Sequence, residues 1–259
     1  MVVVVAVAVV ADAHPAVPDV DFQRMVDSTE VPRVELVSYL DDLLDAHTGV
    51  SACRELFQGA RQKGADTVLV HHGIFWRGDP PVLTGFRRQR VAELFAGNLN
   101  LIAYHLPLDR HAQLGNNALA VRQLGLEEIQ PFGLYEGAPI GARGRFPEPV
   151  TPADLAERCG AVFGQQPLMF ADGVQSISTV GMISGAAQRE FYRAIDTGLD
   201  AFITGESSEW VVNIARETGV AYLAAGHYAT ETLGVRALGD HIADRFGIDI
   251  DFIDVPNPV

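Results

Sequence analysis

Two apolar runs of the sequence end in histidine. His71 and His72 end the run TVLVHH (67–72), and His105 ends the run NLIAYH (100–105), with Asp109 four residues later. Apolar runs of this length are typical of buried strands. Because α/β proteins bind ligands beyond the carboxyl ends of their strands, these side chains are candidate metal ligands.

A third segment, AAGHYATET (224–232), combines a histidine with a carboxylate. His227 opens a predicted helix just after an apolar run, and Glu231 follows four residues later. Residues i and i+4 share one face of a helix, so both side chains can reach the same ion. For any one of the three segments, an ordinary strand end or helix cap is the commoner explanation. Three such segments in one chain favour a metal site.

The types of these side chains indicate which chemistry they would support. A mixed set of imidazoles and carboxylates suits zinc, iron, manganese, cobalt or nickel. Five or six candidate ligands exceed what one tetrahedral zinc uses, so the sequence predicts two divalent metal ions per subunit. Two ions about 3.5–4 Å apart activate a water molecule for hydrolysis. The predicted chemistry is metal-dependent hydrolysis.

Two further motifs each allow two interpretations. TGESSEW (204–210) places Glu206 where it would border the metal site, but Ser207 or Ser208 could simply cap the next helix. GMISGAA (181–187) either offers backbone N–H groups to an anion or forms a tight turn. It matches neither GxGxxG nor a P-loop, which favours the turn.

The other side chains of interest carry weaker signals. Trp76 lies shortly after His71 and His72, and it either covers a pocket or packs against the core. Four histidines lie in polar or helical surroundings, where exposure to solvent is expected: His14, His47, His111 and His241.

Apolar runs alternate with helical patterns along the chain. Strands are predicted over 66–72, 100–105, 177–183, 200–206, 220–226 and 248–254. Helices are predicted near 33–45, 51–63, 87–97, 112–124, 152–163, 187–197, 207–218 and 229–246. This alternation predicts an α/β fold with largely parallel strand pairing.

A Gly- and Pro-rich stretch, residues 130–152, separates two predicted α/β lobes, 31–130 and 131–259. Within the stretch, IGARGRF (140–146) could itself be a short strand. Residues 1–30 form an atypical N-terminal segment. Its apolar run has no preceding Lys or Arg and is far shorter than the roughly 20 residues that cross a bilayer. A buried strand or an extension is therefore expected, rather than a signal peptide or a membrane span.

Composition excludes some classes of function. The 259 residues carry a formal net charge of −14, which argues against a nucleic-acid partner. Cys53 and Cys159 are far apart and form neither a disulfide framework nor a metal motif, so a cytoplasmic setting is expected. Neither cysteine lies in a nucleophile motif and GxSxG does not occur, so covalent catalysis has no support.

Four blocks of the sequence together resemble the Nif-three-like family, whose members carry the name GTP cyclohydrolase 1 type 2. The blocks are ADTVLVHHGIFW, AYHLPLDRHAQLGNNALAV, FITGESSEWVVNIARE and GHYATETLGVRAL. They occur in family order from about residue 51 to the C-terminus. The resemblance implies two similar α/β lobes that together form one dinuclear metal centre. It also implies a toroidal homohexamer, a trimer of dimers, with that centre facing the inner cavity.

The resemblance also implies roles for individual residues. Carried over by position, the metal ligands are His71, His72, Asp109, His227 and Glu231. Glu231 would bridge the two ions. His105 lies beside the ligands, and it and Glu206 are the candidates for moving protons in catalysis.

One segment departs from the family pattern. Members carry a strand with an Asn-Gly-Leu-Gln-like element before the helix that precedes His-His. Here YLDDLLDAHTGVSACRELFQ runs from one predicted helix almost directly into the next. The first lobe is therefore expected to lack a strand near residues 46–51.

Two functions follow as hypotheses. The first is a hydrolase in which metal-activated water attacks a nucleotide-like small molecule, possibly GTP, whose imidazole ring would be opened. The alternative is a non-catalytic metal-binding or scaffold protein that buffers metal or binds partner proteins. Neither hypothesis involves nucleic acid or a membrane.

Overall fold

The structure, a computed structural model, describes residues 45–76 and 78–259. The predicted N-terminal segment 1–30 and nearly all of the predicted helix 33–45 lie outside these residues. The chain divides into two compact units. The first comprises the described residues up to Pro107 together with Val235–Val255, and the second comprises Leu108–Gly234 and Pro256–Val259. The expected boundary near residue 130 therefore falls inside the second unit.

Strands and helices alternate through the described residues, as the sequence predicted. In chain order they are β1 (Asp45–Ser51), α1 (Arg54–Gln62), β2 (Thr67–His72), α2 (Gly85–Gly97), β3 (Asn100–Ala103), α3 (Leu106–Asp109), α4 (Asn116–Gln123), β4 (Glu127–Phe132), β5 (Gly141–Val150), α5 (Pro152–Phe163), β6 (Leu168–Phe170), β7 (Ile177–Met182), a 3₁₀ turn (Gln188–Glu190), α6 (Phe191–Asp196), β8 (Ala201–Thr204), α7 (Val211–Thr218), β9 (Ala221–Ala224), α8 (His227–Thr230), α9 (Thr232–Phe246) and β10 (Asp249–Phe252). All six predicted strands are present, and the α/β fold class is confirmed.

The first unit contains a four-stranded, wholly parallel sheet in the order β10-β1-β2-β3. The expectation that a strand is missing near residues 46–51 is wrong, because β1 lies there and pairs with both β2 and β10. The expectation that His47 is exposed is wrong for the same reason, since residues Ala46–Val50 are all buried. This strand is difficult to predict from the sequence because it contains the polar residues His47 and Thr48. A parallel strand that is covered on both faces usually consists of a continuous apolar run.

Helix α1 closes one side of the first sheet. Leu56 and Phe57 are fully buried in a cluster with Val68 and Val70 of β2. The contact with β1 is close, because a Cβ added at Gly49 would lie 2.7 Å from Cδ1 of Leu56. Glycine at position 49 therefore lets the helix approach the sheet.

The second unit contains a six-stranded sheet in the order β4-β5-β7-β8-β9-β6. Strands β7, β8 and β9 pair in parallel, whereas the β4–β5, β5–β7 and β6–β9 pairs are antiparallel. The expectation of largely parallel pairing thus applies to the first sheet and only to the middle of the second. Strand β5 occupies the stretch that was expected to separate the lobes. Its buried Ala142 and Phe146 alternate with more exposed residues, as in a strand covered on one face.

The start of helix α5 agrees with the sequence prediction, whereas that of helix α7 does not. Helix α5 has the predicted bounds, and Thr151 and Asp154 form a reciprocal capping box at its start. The interpretation of Ser207 or Ser208 as a side-chain cap is wrong, because α7 begins later, after Trp210, and has no side-chain cap bond. No helix in the described part of the chain is long and apolar enough to cross a membrane.

Thr151→Ala should destabilise the second unit. The substitution removes the hydroxyl that accepts the Asp154 backbone N–H, and loss of such a cap lowers a thermal midpoint by about 2–4 °C in a protein of this size. Calorimetry on the wild type, Thr151→Ala and Ser208→Ala tests this. Ser208→Ala serves as the control, because the Ser208 hydroxyl caps no helix, and an equal shift in both variants would contradict the assignment.

Candidate functional site

Three imidazoles gather in the first unit. His71 and His72 end β2, and His105 follows β3. The ring centroids are 4.7 Å apart for His71 and His72, 5.0 Å for His71 and His105, and 5.2 Å for His72 and His105. One ring nitrogen from each residue lies within 4.8 Å of the others, which is close enough for one metal ion to contact them. The structure therefore brings together the three histidines that the sequence placed at strand ends.

Hydrogen bonds fix how two of these rings are turned. Nδ1 of His71 lies 2.8 Å from the backbone carbonyl oxygen of Tyr104. A carbonyl only accepts, so Nδ1 carries the proton and Nε2 of His71 carries the lone pair. Nδ1 of His72 lies 3.1 Å from the hydroxyl of Ser51. Bonds of this kind at the second ring nitrogen are the usual support of a metal-binding histidine.

Trp76 borders the three imidazoles. Its ring is perpendicular to that of His105 at a centroid distance of 5.1 Å and lies 5.7 Å from that of His72. Its backbone N–H donates to the carboxylate of Asp79, to which Arg87 also donates. These two bonds hold the pKa of Asp79 below its usual value, the bond from Trp76 having the larger effect. Trp76 as a residue is 45% exposed, so it contacts His72 and His105 on one side and is partly open to solvent on the other.

In the second unit, His227 lies between two carboxylates. Its Nδ1 is 2.5 Å from Oε1 of Glu206, and its Nε2 is 3.3 Å from Oε2 of Glu231. The predicted i and i+4 pair of His227 and Glu231 therefore does meet. Glu231 and, less strongly, Glu206 raise the pKa of His227 to about 9, against the opposing effect of burial. A pKa of about 9 predicts that the ring is protonated at neutral pH when no metal ion is bound.

Two glycines allow this close arrangement. Gly185 has a φ of +68°, and a Cβ added there would lie 2.5 Å from Oε1 of Glu231 and 3.1 Å from Nε2 of His227. Gly205 donates its N–H to the carbonyl of Gly185, and a Cβ on Gly205 would lie 2.6 Å from Cα of His227. Any larger residue at either position would displace the candidate ligands. The sequence predicts only a turn at Gly185 and does not predict its close contact with His227 and Glu231.

The turn that contains Gly185 is not an anion site. The N–H of Ser184 donates to Asn117, that of Gly185 to Thr230, and that of Ala187 to Thr204. Side-chain oxygens thus already accept these three backbone N–H groups. Of the two interpretations of GMISGAA, the anion site is wrong for these three N–H groups, and Gly185 and Ala186 form a bend.

Asp109 and Glu231 are two buried carboxylates of the second unit, with candidate ligand oxygens within 4.8 Å of each other. Asn116 and Ser184 both donate hydrogen bonds to Asp109. Two carboxylates at this distance in a buried place repel each other unless a proton or a cation lies nearby. Carboxylates such as these and the neighbouring imidazole of His227, whose Nε2 lies 3.3 Å from Glu231, are ligand types that suit a divalent ion. The residues present therefore fit a metal site.

Comparisons with known proteins point to one family. The model of the DUF34/NIF3 family (NGG1p interacting factor 3) matches residues 40–258. A Pseudomonas aeruginosa protein named GTP cyclohydrolase 1 type 2 homolog is 44% identical over 211 residues, covering 82% of this chain and 83% of the relative. Among solved structures, the protein ybgI, of unknown function, shares 41% identity with a TM-score of 0.77 over 84% of this chain and 86% of its own. TTHA1606 from Thermus thermophilus shares 33% identity with a TM-score of 0.76 over 88% of this chain and 99% of its own.

The raised pKa of His227 can be measured directly. In chelator-treated protein, an NMR titration should give His227 a pKa of about 9, above the roughly 6.5 of free imidazole. Glu206→Gln should lower this pKa, because it removes one of the two facing carboxylates. Glu209→Gln, at an exposed position in the same segment, should leave it unchanged.

Stability of the metal-free protein should follow the same titration. The folded-state pKa of His227 is above its unfolded value, so its contribution is fully present below about pH 6.5 and is lost as the pH rises through about 9. The thermal midpoint should fall over that range, and fall less in Glu206→Gln. A wild-type pKa near that of free imidazole would contradict the arrangement.

Proposed function

Because this chain belongs to the DUF34/NIF3 family, we propose that it is a metal-dependent hydrolase with a dinuclear metal centre. The proposed ligands are His71, His72, Asp109, His227 and Glu231. The observation that carries the proposal is that each of three histidines has a hydrogen-bond partner at Nδ1. The partner is a backbone carbonyl for His71, a hydroxyl for His72 and a carboxylate for His227. Each ring is therefore turned so that Nε2 is the nitrogen that can bind a metal.

Divalent metal ions bound there would supply a hydrolytic nucleophile at neutral pH and polarise the substrate. The chain's own contribution is to hold the ligands. Glu206 holds Nδ1 of His227, and the carbonyl of Tyr104 holds Nδ1 of His71. Glu231, buried and near both Asp109 and His227, is the proposed bridge between the two ions.

His105 and Glu206 are the proposed proton carriers. His105 lies against the exposed ring of Trp76 and beside His71 and His72, so it borders the ligands on the side where a substrate would enter. One oxygen of Glu206 contacts His227 and the other accepts a hydrogen bond from Gln188. Glu206 therefore also serves to orient a ligand, in addition to the acid–base role predicted for it.

The proposed substrate is a small molecule with a planar ring, for which GTP is the first candidate. Two observations support this. The curated relatives carry the name GTP cyclohydrolase 1 type 2 homolog, and the half-exposed indole of Trp76 offers a flat apolar surface next to the imidazoles. The compartment proposed is the cytoplasm, where the free thiols of Cys53 and Cys159 remain reduced.

An activity assay tests the proposed function. Metal-loaded protein is incubated with GTP and with a panel of phosphoesters and cyclic amides, before and after treatment with a chelator. Turnover that chelation abolishes and added metal restores is the expected result. Tight retention of metal without turnover of any compound would instead support a non-catalytic metal-binding or scaffold protein.

Metal content is a separate prediction. Elemental analysis after mild purification should find about two transition-metal ions per chain, since the ligands exceed one four-coordinate site. Asp109→Ala and Glu231→Ala should each lower the ratio, Glu231→Ala more because it is the proposed bridge. Asp172→Ala, which removes an exposed carboxylate paired with Arg216, should not. Metal-free protein that takes up no zinc, manganese or iron would disprove the proposal.

We also propose a toroidal homohexamer, which the family resemblance supports. Light scattering coupled to size-exclusion chromatography should give a mass near six chains of 28.0 kDa each. A homogeneous monomer would contradict this assembly without bearing on the metal site.

A further inference from the structure

We propose that Asn116 and Ser184 are positioning residues for Asp109, and that their hydrogen bonds determine which carboxylate oxygen Asp109 offers to a metal ion. This inference rests on the proposed role of Asp109 as a ligand. It concerns two side chains to which neither the sequence motifs nor the comparisons assign a role.

The two donors converge on one atom. Nδ2 of Asn116 lies 2.9 Å from Oδ1 of Asp109, and Oγ of Ser184 lies 3.1 Å from the same oxygen. All three residues are buried, so water does not compete for these bonds. Because both donors engage Oδ1, the carboxylate is held in one rotational position, and Oδ2 is the oxygen through which Asp109 would bind a metal ion.

The orientation of the Asn116 amide is determined by its other partner. The backbone N–H of Gly234 donates to Oδ1 of Asn116 at 2.7 Å. A backbone N–H can only donate, so the oxygen of the amide must face Gly234 and its NH₂ group must face Asp109. A Cβ at Gly234 would lie 2.8 Å from that Oδ1, so this contact also requires glycine. Asn116 is therefore a donor to Asp109 that cannot turn around.

Asn117 holds the surrounding backbone in a different way. Its Nδ2 donates to the carbonyls of Ile140, at 2.8 Å, and Asp109, at 3.4 Å. Its Oδ1 accepts the N–H of Ser184 at 2.7 Å. Asn117 thus fixes the backbone of both Asp109 and Ser184, whereas Asn116 and the Ser184 hydroxyl act on the carboxylate itself. The two adjacent asparagines therefore act on different groups: Asn116 on the carboxylate of Asp109, and Asn117 on the backbone of Asp109 and Ser184.

Partners of this type contribute to metal affinity without touching the metal. Removing one typically weakens binding 10–100-fold, because the ligand then samples orientations in which it cannot bind. Ser184→Ala deletes only the hydroxyl and leaves the rest of the packing in place. Asn116→Asp keeps the shape of the side chain and the hydrogen bond from Gly234. It replaces the NH₂ group that donates to Asp109 with a carboxylate oxygen, which can only accept. Its effect should be the larger of the two.

The test is metal affinity in the full chain, measured for zinc and for manganese by competition with a chelator, together with the thermal midpoint of the metal-free protein. Ser184→Ala should raise the Kd of the metal 10–100-fold, with little change in the metal-free midpoint. Ser184→Thr, which keeps the hydroxyl, should recover affinity. Thr151→Ala is the matched control, since it lowers the midpoint through a helix cap and should leave the Kd unchanged.

The outcomes separate this inference from the proposed function. Wild-type protein that binds no metal would disprove the metal centre itself. Wild-type protein that binds metal, with Ser184→Ala and Asn116→Asp binding equally tightly, would overturn only the positioning role. A loss of affinity that follows the midpoint in all variants, including Thr151→Ala, would also overturn it, because the effect would then come from general stability.

Discussion

The proposed chemistry depends on a hydrogen bond to one ring nitrogen of each candidate histidine ligand. An imidazole has two ring nitrogens, and this bond leaves the other one directed toward a metal ion. In the first unit this follows from the register of a parallel sheet. Val70 of β2 pairs with Ala103, the last residue of β3, so His71 and Tyr104, the residues that follow them, lie at the same level. The carbonyl of Tyr104 is thereby placed at Nδ1 of His71. A shift of one residue in this register would direct the wrong side chain to the site.

The same sheet supplies the partner of His72. Ser51 is the register partner of His72 across β1 and β2, and its hydroxyl reaches Nδ1 of that ring. Strand β1 therefore has a function beyond completing the sheet. Strand β1 contains few apolar residues although it lies in the core of the first unit. Its Ser51 hydroxyl contacts the candidate ligand His72.

The second unit reaches a similar result through strand register combined with close packing at glycines. Glu206 follows β8 and His227 follows β9, and the two loops are tied by backbone bonds from Gly205 to Gly185 and from Gly226 to Gly205. These bonds require the chains to approach more closely than side chains would allow. The parallel pairing of β8 with β9 and the glycines that follow it therefore together bring Glu206 to Nδ1 of His227.

The sequence predicted the candidate ligands better than it predicted what holds them. His71, His72 and His105 could be placed because apolar runs mark strands, and His227 and Glu231 because a spacing of four marks one face of a helix. The bonds to Tyr104, Ser51 and Asn116 could not be predicted, because they join residues distant in sequence through a register that no local pattern encodes. Strand β1 was missed, and β5 was offered only as a possible short strand over residues 140–146, for related reasons. One carries polar residues in a buried position, and the other is rich in Gly and Pro, which usually indicate a loop.

The arrangement around His227 also places a positive charge beside the buried carboxylate of Glu231. Asp109 and Glu231 are both buried, and two negative charges at that separation destabilise a fold unless a cation compensates them. In the metal-free protein, the proton that Glu231 and Glu206 stabilise on His227 supplies this positive charge at neutral pH. In the proposed metal-bound state, Nδ1 would keep its bond to Glu206 and only the proton on Nε2 would have to leave. Exchange of that proton for a metal ion, as proposed, would therefore require no rotation of the ring.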